Sequence, residues 1–303
     1  MNVKSLFLAL SSIVGVPAPA AQQEARWELV ANLNTPHQYH ACVALDGKIY
    51  TVGGDRSAAF EEYDGKSNVW RLLPPMTTPR AFSAAAAVGR RIYAIGGLSE
   101  ENETLDSVEC FDLDTKLWQR CAGLPTPRNR LSAVTTGTKI LVIGGMDQHG
   151  NSAAVEEFDP LSGRWRSRAP MPTPRHGHSV IVLNGKVLVL GGYDASPLAT
   201  VEEYDPTADR WSKKADMPTP RGFFGAATAK GFAFAIAGRV RGELPVERYD
   251  PRSDTWKRLE PMPGPFRNRF GIALLKERIY IVGGELQEDS SVPLTVWRYE
   301  PDG

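Results

Sequence analysis

Two short segments of this chain read Arg-Asn-Arg: Arg128-Asn129-Arg130 and Arg267-Asn268-Arg269. A guanidinium presents a planar fork of donors that matches a carboxylate. Arg130 and Arg269 are therefore the leading candidates for ligand contact. Tyr39, His40, Phe82, His176, His178 and Phe223 hold equivalent places elsewhere in the chain, and Asn129 and Asn268 stand beside the two arginines. Loops of a second kind add Arg239, Arg241 and Glu285. This mixture of cations, amides and rings suits an acidic peptide or an acidic carbohydrate. Proton transfer at such a site would fall to Glu285, Asp147 or His178, but no catalytic residue is assigned.

These residues are brought together by a repeat. Glycine pairs recur at Gly53-Gly54, Gly96-Gly97, Gly144-Gly145, Gly191-Gly192, the degenerate Ala237-Gly238, and Gly283-Gly284, at intervals of 43 to 48 residues. A period of that size is the mark of a repeat architecture. Trp27, Trp70, Trp118, Trp165 and Trp211 each precede a glycine pair by 26 residues, and Trp256 by 27. Ten residues after each of the four middle tryptophans comes Arg80, Arg128, Arg175 or Arg221; His37 holds that slot in the first copy and Arg267 in the last. A third landmark runs from Val155 to Pro160, with counterparts such as Val201 to Pro206. Each unit thus holds four short runs of strand composition separated by turn residues such as Asp46-Gly47 and Asn184-Gly185, and no long helical period. Four antiparallel strands repeated six times predict radial blades.

In register, the glycine pair, the Tyr-Asp-Pro and the tryptophan resemble the Kelch repeat, from Trp27 to Pro301. The resemblance implies an all-β, six-bladed Kelch β-propeller. The last unit stops before its tryptophan and Trp27 has no strands ahead of it, so the strand around Trp27 is expected to close the sixth blade, leaving no open edge. Recurrence separates scaffold from site: the glycines, the tryptophans and Arg80, Arg128, Arg175 and Arg221 recur and read as scaffold. The residues just after each arginine vary, as do those after each glycine pair. Connectivity puts both sets on one face, around the mouth of the central channel. In Kelch-like substrate adaptors an Arg-Asn-Arg of this kind directs its second arginine into the peptide-binding mouth, which by resemblance favours Arg130 and Arg269.

The family also includes enzymes. Galactose oxidase holds copper on such a propeller, but here the His37–His40 and His176–His178 pairs belong to opposite blades and Cys42 lies down the innermost run; no metal and no cofactor is expected. Secreted six-bladed relatives include N-acetylneuraminate epimerases, the alternative reading, although this chain has compact units without their long insertions. The lead expectation is a non-enzymatic binding module, a bare propeller and a monomer, whose partner is a protein, a peptide or a small acidic sugar.

The 303 residues carry 35 basic and 35 acidic side chains. No global field steers the chain to nucleic acid or anionic membrane, and no motif for a nucleophile triad or a phosphate loop occurs. Residues 1–20 resemble a cleaved secretory leader: Lys4, an apolar stretch from Ser5 to Val16, then Ala18-Pro19-Ala20. The propeller is assigned to 21–303 and the mature protein to the periplasm or the exterior. Cys110 and Cys121 flank a predicted hairpin, and whether they bond is left open.

Overall fold

The structure is a computed structural model that describes residues 26–239, 244–265, 267–286 and 291–302. The leader-like segment 1–20 and Arg241 lie outside these residues. Every regular element described is a β-strand. Six four-stranded antiparallel sheets are arranged as blades. In the first, Ala41–Leu45, Lys48–Val52, Phe60–Asp64 and Val69–Leu72 follow one another from the inside outward.

The sixth blade takes its three inner strands, Gly271–Leu275, Arg278–Val282 and Val296–Glu300, from the end of the chain and its outermost, Arg26–Val30, from the beginning. Trp27 lies opposite Tyr299 and Val30 opposite Val296. The ring is closed by the N-terminal strand, as the repeat count predicts.

Strand composition follows position in the blade. Second strands such as Lys139–Ile143 are buried from their second residue onward, because each lies in the middle of a sheet with another blade on either side. A continuous apolar run results, without alternation. Innermost strands alternate instead: Ala84 and Ala86 are buried while Ala85 and Ala87 are half-buried, the second set facing the channel. The hydrophobic core is divided into six clusters, one at each blade interface.

The recurrent residues hold blades to one another. The indole N–H of Trp70, Trp118, Trp165, Trp211 and Trp256 each donates to a carbonyl in the linker from the preceding blade, as Trp118 does to Pro74 at 2.9 Å. Arg80, Arg128, Arg175 and Arg221 are fully buried. Each Nη1 caps the carbonyl of the first residue of the following glycine pair, for example Arg128 to Gly144 at 3.0 Å. Each Nη2 meets a third-strand glutamate: Glu109, Glu156, Glu202 or Glu247, at 2.6–2.9 Å. In the first blade His37 takes the arginine's place against Glu61 at 3.0 Å. Burial alone would raise the Glu61 pKa, but hydrogen bonds from His37, Thr35 and Asn34 hold it at about 2. Arg267 caps Gly283 in the same way, yet Trp297 occupies the glutamate's register.

At the glycine pair the backbone turns with φ of 57° at Gly96 and 107° at Gly97. A Cβ on Gly97 would sit 2.7 Å from the Ala81 carbonyl oxygen. Conformation and space both demand glycine there. Cys110, in the strand Val108–Asp112, and Cys121, just beyond the neighbouring strand Leu117–Arg120, are free thiols.

Candidate functional site

The residue after each repeated arginine bridges the residue after the same blade's glycine pair. The pairs are Ala81 with Leu98, Asn129 with Met146, His176 with Tyr193, Gly222 with Arg239, and Asn268 with Glu285. In the first blade the amide of Asp55 donates to the Gln38 carbonyl at 3.1 Å. These bridges place both variable sets on one face.

One residue further on, the six blades meet. Tyr39, Phe82, Arg130, Gly177, Phe223 and Arg269 all adopt left-handed φ, between 50° and 59°. The N–H of each donates to the carbonyl of its counterpart in the preceding blade, from Tyr39 to Arg269 (3.0 Å) round to Arg269 to Phe223 (3.2 Å). The mouth is therefore bounded by a closed ring of six backbone hydrogen bonds. Left-handed φ costs a non-glycine residue about 1–2 kcal/mol, and a net hydrogen bond contributes about 1 kcal/mol. The ring roughly offsets its own strain, and it fixes the direction of six side chains.

Those side chains are paired across the opening. Arg130 and Arg269 come from opposite blades, as do Phe82 and Phe223. The Arg130 guanidinium lies 4.5 Å over the Phe82 ring. The Arg269 guanidinium lies 4.7 Å over Tyr39 and 5.6 Å from Phe223. Tyr39 and Phe82 rings are 4.2 Å apart, and Phe82 faces Phe223 at 6.5 Å. Gly177 leaves a gap, which the Phe223 ring overlies. Cation–π contacts hold both guanidiniums over ring faces while leaving N–H groups for a ligand.

The two arginines differ electrostatically. Arg269 donates to the Tyr39 hydroxyl at 2.5 Å and pairs with Glu285. Arg130 donates to the Asn129 side-chain oxygen at 2.9 Å and to the Met146 sulfur at 3.3 Å. No carboxylate among the described residues reaches it. Burial, then repulsion by Arg269 across the opening, lowers its pKa, though a guanidinium stays charged. Burial raises the Tyr39 pKa, so the phenol is neutral.

Of the residues expected at the mouth, the structure brings together Tyr39, Phe82, Arg130, Phe223, Arg269 and Glu285. His176 stands behind them, its Nδ1 2.7 Å from the Asn151 side chain and its ring stacked at 5.7 Å on Tyr193. Asn129 and Asn268 are buried behind the ring, Asn129 donating to Thr104 at 3.0 Å. Arg239 is exposed on the rim. His40 and His178 lie below the ring, buried, and among the described residues neither nitrogen of either side chain has a hydrogen-bond partner. Burial first, then neighbouring positive charge, lowers the pKa of both, that of His178 to about 3. Both rings are neutral at neutral pH. Asp147 accepts the backbone N–H of His149 at 2.7 Å and serves its own turn.

Sequence reasoning missed Met146 under Arg130; Cys42, expected down the innermost run, lines the cavity just beneath the ring. Nothing in the local sequence marks Met146 as a neighbour of Arg130. No group of three or more potential metal ligands occurs among the described residues, and no helix among them is long and apolar enough to cross a membrane.

The KLHDC2/KLHL20/DRC7 Kelch-repeats domain matches residues 39–238 and, in a second register, 83–284. No curated protein matches the chain. Among solved structures, that of YjhT is similar with a TM-score of 0.78 at 16% identity, over 88% of this chain and 95% of that one; at that identity the likeness is one of fold. Six blades, the recurrent arginine–glutamate pairs and the match across most of the repeats lead to one conclusion: the chain belongs to the Kelch-repeat family and is a six-bladed propeller of the kind that serves as a binding module.

Proposed function

We propose that this protein is an exported binding module that takes an acidic ligand, a peptide or a carbohydrate, at the six-residue ring. The observation that carries the reading is Arg130. It is a half-buried guanidinium, held by a phenyl face and an amide, with no carboxylate partner among the described residues. By contrast, the scaffold arginines from Arg80 to Arg221 each meet a glutamate. A partly desolvated cation without a counter-ion is costly, and an arriving carboxylate relieves that cost. Export rests on the leader-like composition of residues 1–20.

A second reading, anomer exchange on an acidic sugar, is favoured by Glu285, a carboxylate held against Arg269 at the mouth. Titration calorimetry with N-acetylneuraminate and with a glutamate-rich peptide tests the first reading. Arg130→Ala combined with Arg269→Ala should weaken binding by about thirtyfold or more, the counterpart of roughly 2 kcal/mol. Unchanged affinity refutes the assignment of the mouth. Following the same sugar by NMR decides the second: exchange accelerated by the wild type and lost in Glu285→Gln makes the protein an enzyme.

A further inference from the structure

Below the ring the channel changes character. The first layer of side chains facing it is Cys42, Ala85, Ala133, Val180, Ala226 and Ile272, each three residues beyond a ring residue. The upper cavity, about 250 Å³, joins the ring to this layer. It contains polar side chains: Ser132 and Ser179 donate to the carbonyls of His178 and Phe224 at 2.9 and 2.8 Å, while the Ser83 hydroxyl and the neutral rings of His40 and His178 have no hydrogen-bond partner among the described residues. A second cavity of about 330 Å³ continues beyond the shared layer. Thr135 and Thr228 are its polar side chains besides Cys42, and Thr135 donates to the Ala87 carbonyl at 2.7 Å. Burial raises the Cys42 pKa, so its thiol is neutral. Among the described residues no charged side chain lines either cavity below Arg130 and Arg269. Elsewhere, an apolar cavity of about 150 Å³ suffices to bind benzene.

We infer that the ligand is amphiphilic: an unbranched aliphatic carboxylate whose head sits on Arg130 and whose tail runs down the channel. This deepens the reading of the mouth and rests on it. The argument is one of complementarity along an axis. Positive charge is confined to the ring, and the shared layer beneath it, from Cys42 round to Ile272, is uncharged and, Cys42 apart, aliphatic. Five residues separate the ring from the layer of Thr135 and Thr228, about 17 Å of strand at roughly 3.3 Å per residue. An extended aliphatic tail is the shape that follows such a depth. Entry requires the Phe82 and Phe223 rings, 6.5 Å apart, to part by side-chain rotation. Once parted, they flank the first methylenes.

Titration of the whole chain with butanoate, hexanoate, octanoate and decanoate tests this. Affinity should rise about three- to fourfold per methylene, with a heat-capacity change that grows more negative with length. Ala85→Leu with Ala133→Leu narrows the shared layer and should abolish the gain beyond hexanoate while leaving butanoate binding intact, which also shows that the variant is folded. Arg130→Ala should weaken every acid equally. Equal affinity for butanoate and decanoate, both lost in Arg130→Ala, overturns the tail and leaves the mouth reading standing. A length-dependent gain that survives the narrowing variant overturns it as well, because the tail then lies elsewhere. Affinities unchanged in Arg130→Ala overturn both readings, and the wild-type length series decides the matter should the narrowing variant not fold.

Discussion

Removing Glu109 should expose how much the propeller depends on its buried ion pairs. Its carboxylate accepts Arg80 Nη2 at 2.7 Å and the backbone N–H groups of Thr77 and Thr78 at 2.8 and 3.1 Å. Arg80 is fully buried and its Nη1 also caps Gly96 and Ser107 at 2.9 and 3.0 Å. In Glu109→Ala the guanidinium keeps both carbonyls but loses its counter-charge in a site with no access to water. Stranding one member of a buried pair costs about 3–5 kcal/mol, a large share of the roughly 5–15 kcal/mol by which folded domains are stable. At about 2–4 °C per kcal/mol for chains of some 150–250 residues, the melting temperature should fall by on the order of 10 °C. Arg80→Met should cost a similar amount, because it strands Glu109 and uncaps two carbonyls. The double variant should then cost clearly less than the sum, since the second change removes a charge already left alone. Thermal and urea unfolding of the four proteins gives the coupling. If Glu109→Ala costs under about 1 kcal/mol, as an exposed pair would, or if the two changes add, the interpretation of the repeated arginines fails.

Two further outcomes concern the ring as a whole. The depressed pKa values of His40 and His178 mean that the unfolded chain takes up protons below about pH 6.5 while the native state does not. Stability should be unaffected above neutrality and fall as pH drops from 6.5, by up to about 1.4 kcal/mol per pH unit for each histidine. His37 and Glu61 face His40, and Arg175, His176 and Arg128 face His178. His178→Leu, a side chain that Leu131 already places in the equivalent slot, should flatten part of that slope; an unaltered pH profile refutes the attribution. Deleting residues 27–33 removes the strand that pairs with Val296–Glu300, the stacking of Trp27 on Tyr299 at 4.5 Å and the Leu33 N–H bond to Leu294 at 2.9 Å. The sixth blade then has an open edge, and a melting curve that did not move would refute closure by this strand.

The scaffold was legible in the sequence because it is written six times. A glycine pair, a tryptophan and an arginine in fixed register constrain one another, and the incomplete first and last units identify the closing strand. The site was legible only to the level of the loop. His40 and His178 sit next to ring residues, so the sequence puts them at the mouth. The left-handed turn at Tyr39 and Gly177 instead sends the following side chain down between blades, into the slot filled elsewhere by Leu131, Phe224 and Phe270. The same turn buries Asn129 and Asn268 on its other side. A backbone conformation that five non-glycine residues adopt against their local preference leaves no signature in residue type. It is imposed by hydrogen bonds between blades, which no single repeat contains.

That turn also explains why two identical Arg-Asn-Arg segments do not make two identical half-sites. Asn268 bridges Glu285, and Asn129 bridges Met146, at the same place in opposite blades. The carboxylate at one position neutralises Arg269, and the thioether at the other leaves Arg130 uncompensated. The mouth therefore has near-twofold symmetry in its cations and its phenyl rings but not in its charge. A ligand with one anionic group has one place to put it, on the side of the third blade, beside Gly177 of the fourth, which the Phe223 ring overlies. Recurrence built the frame, and a single exchange of glutamate for methionine within it gives the opening a direction.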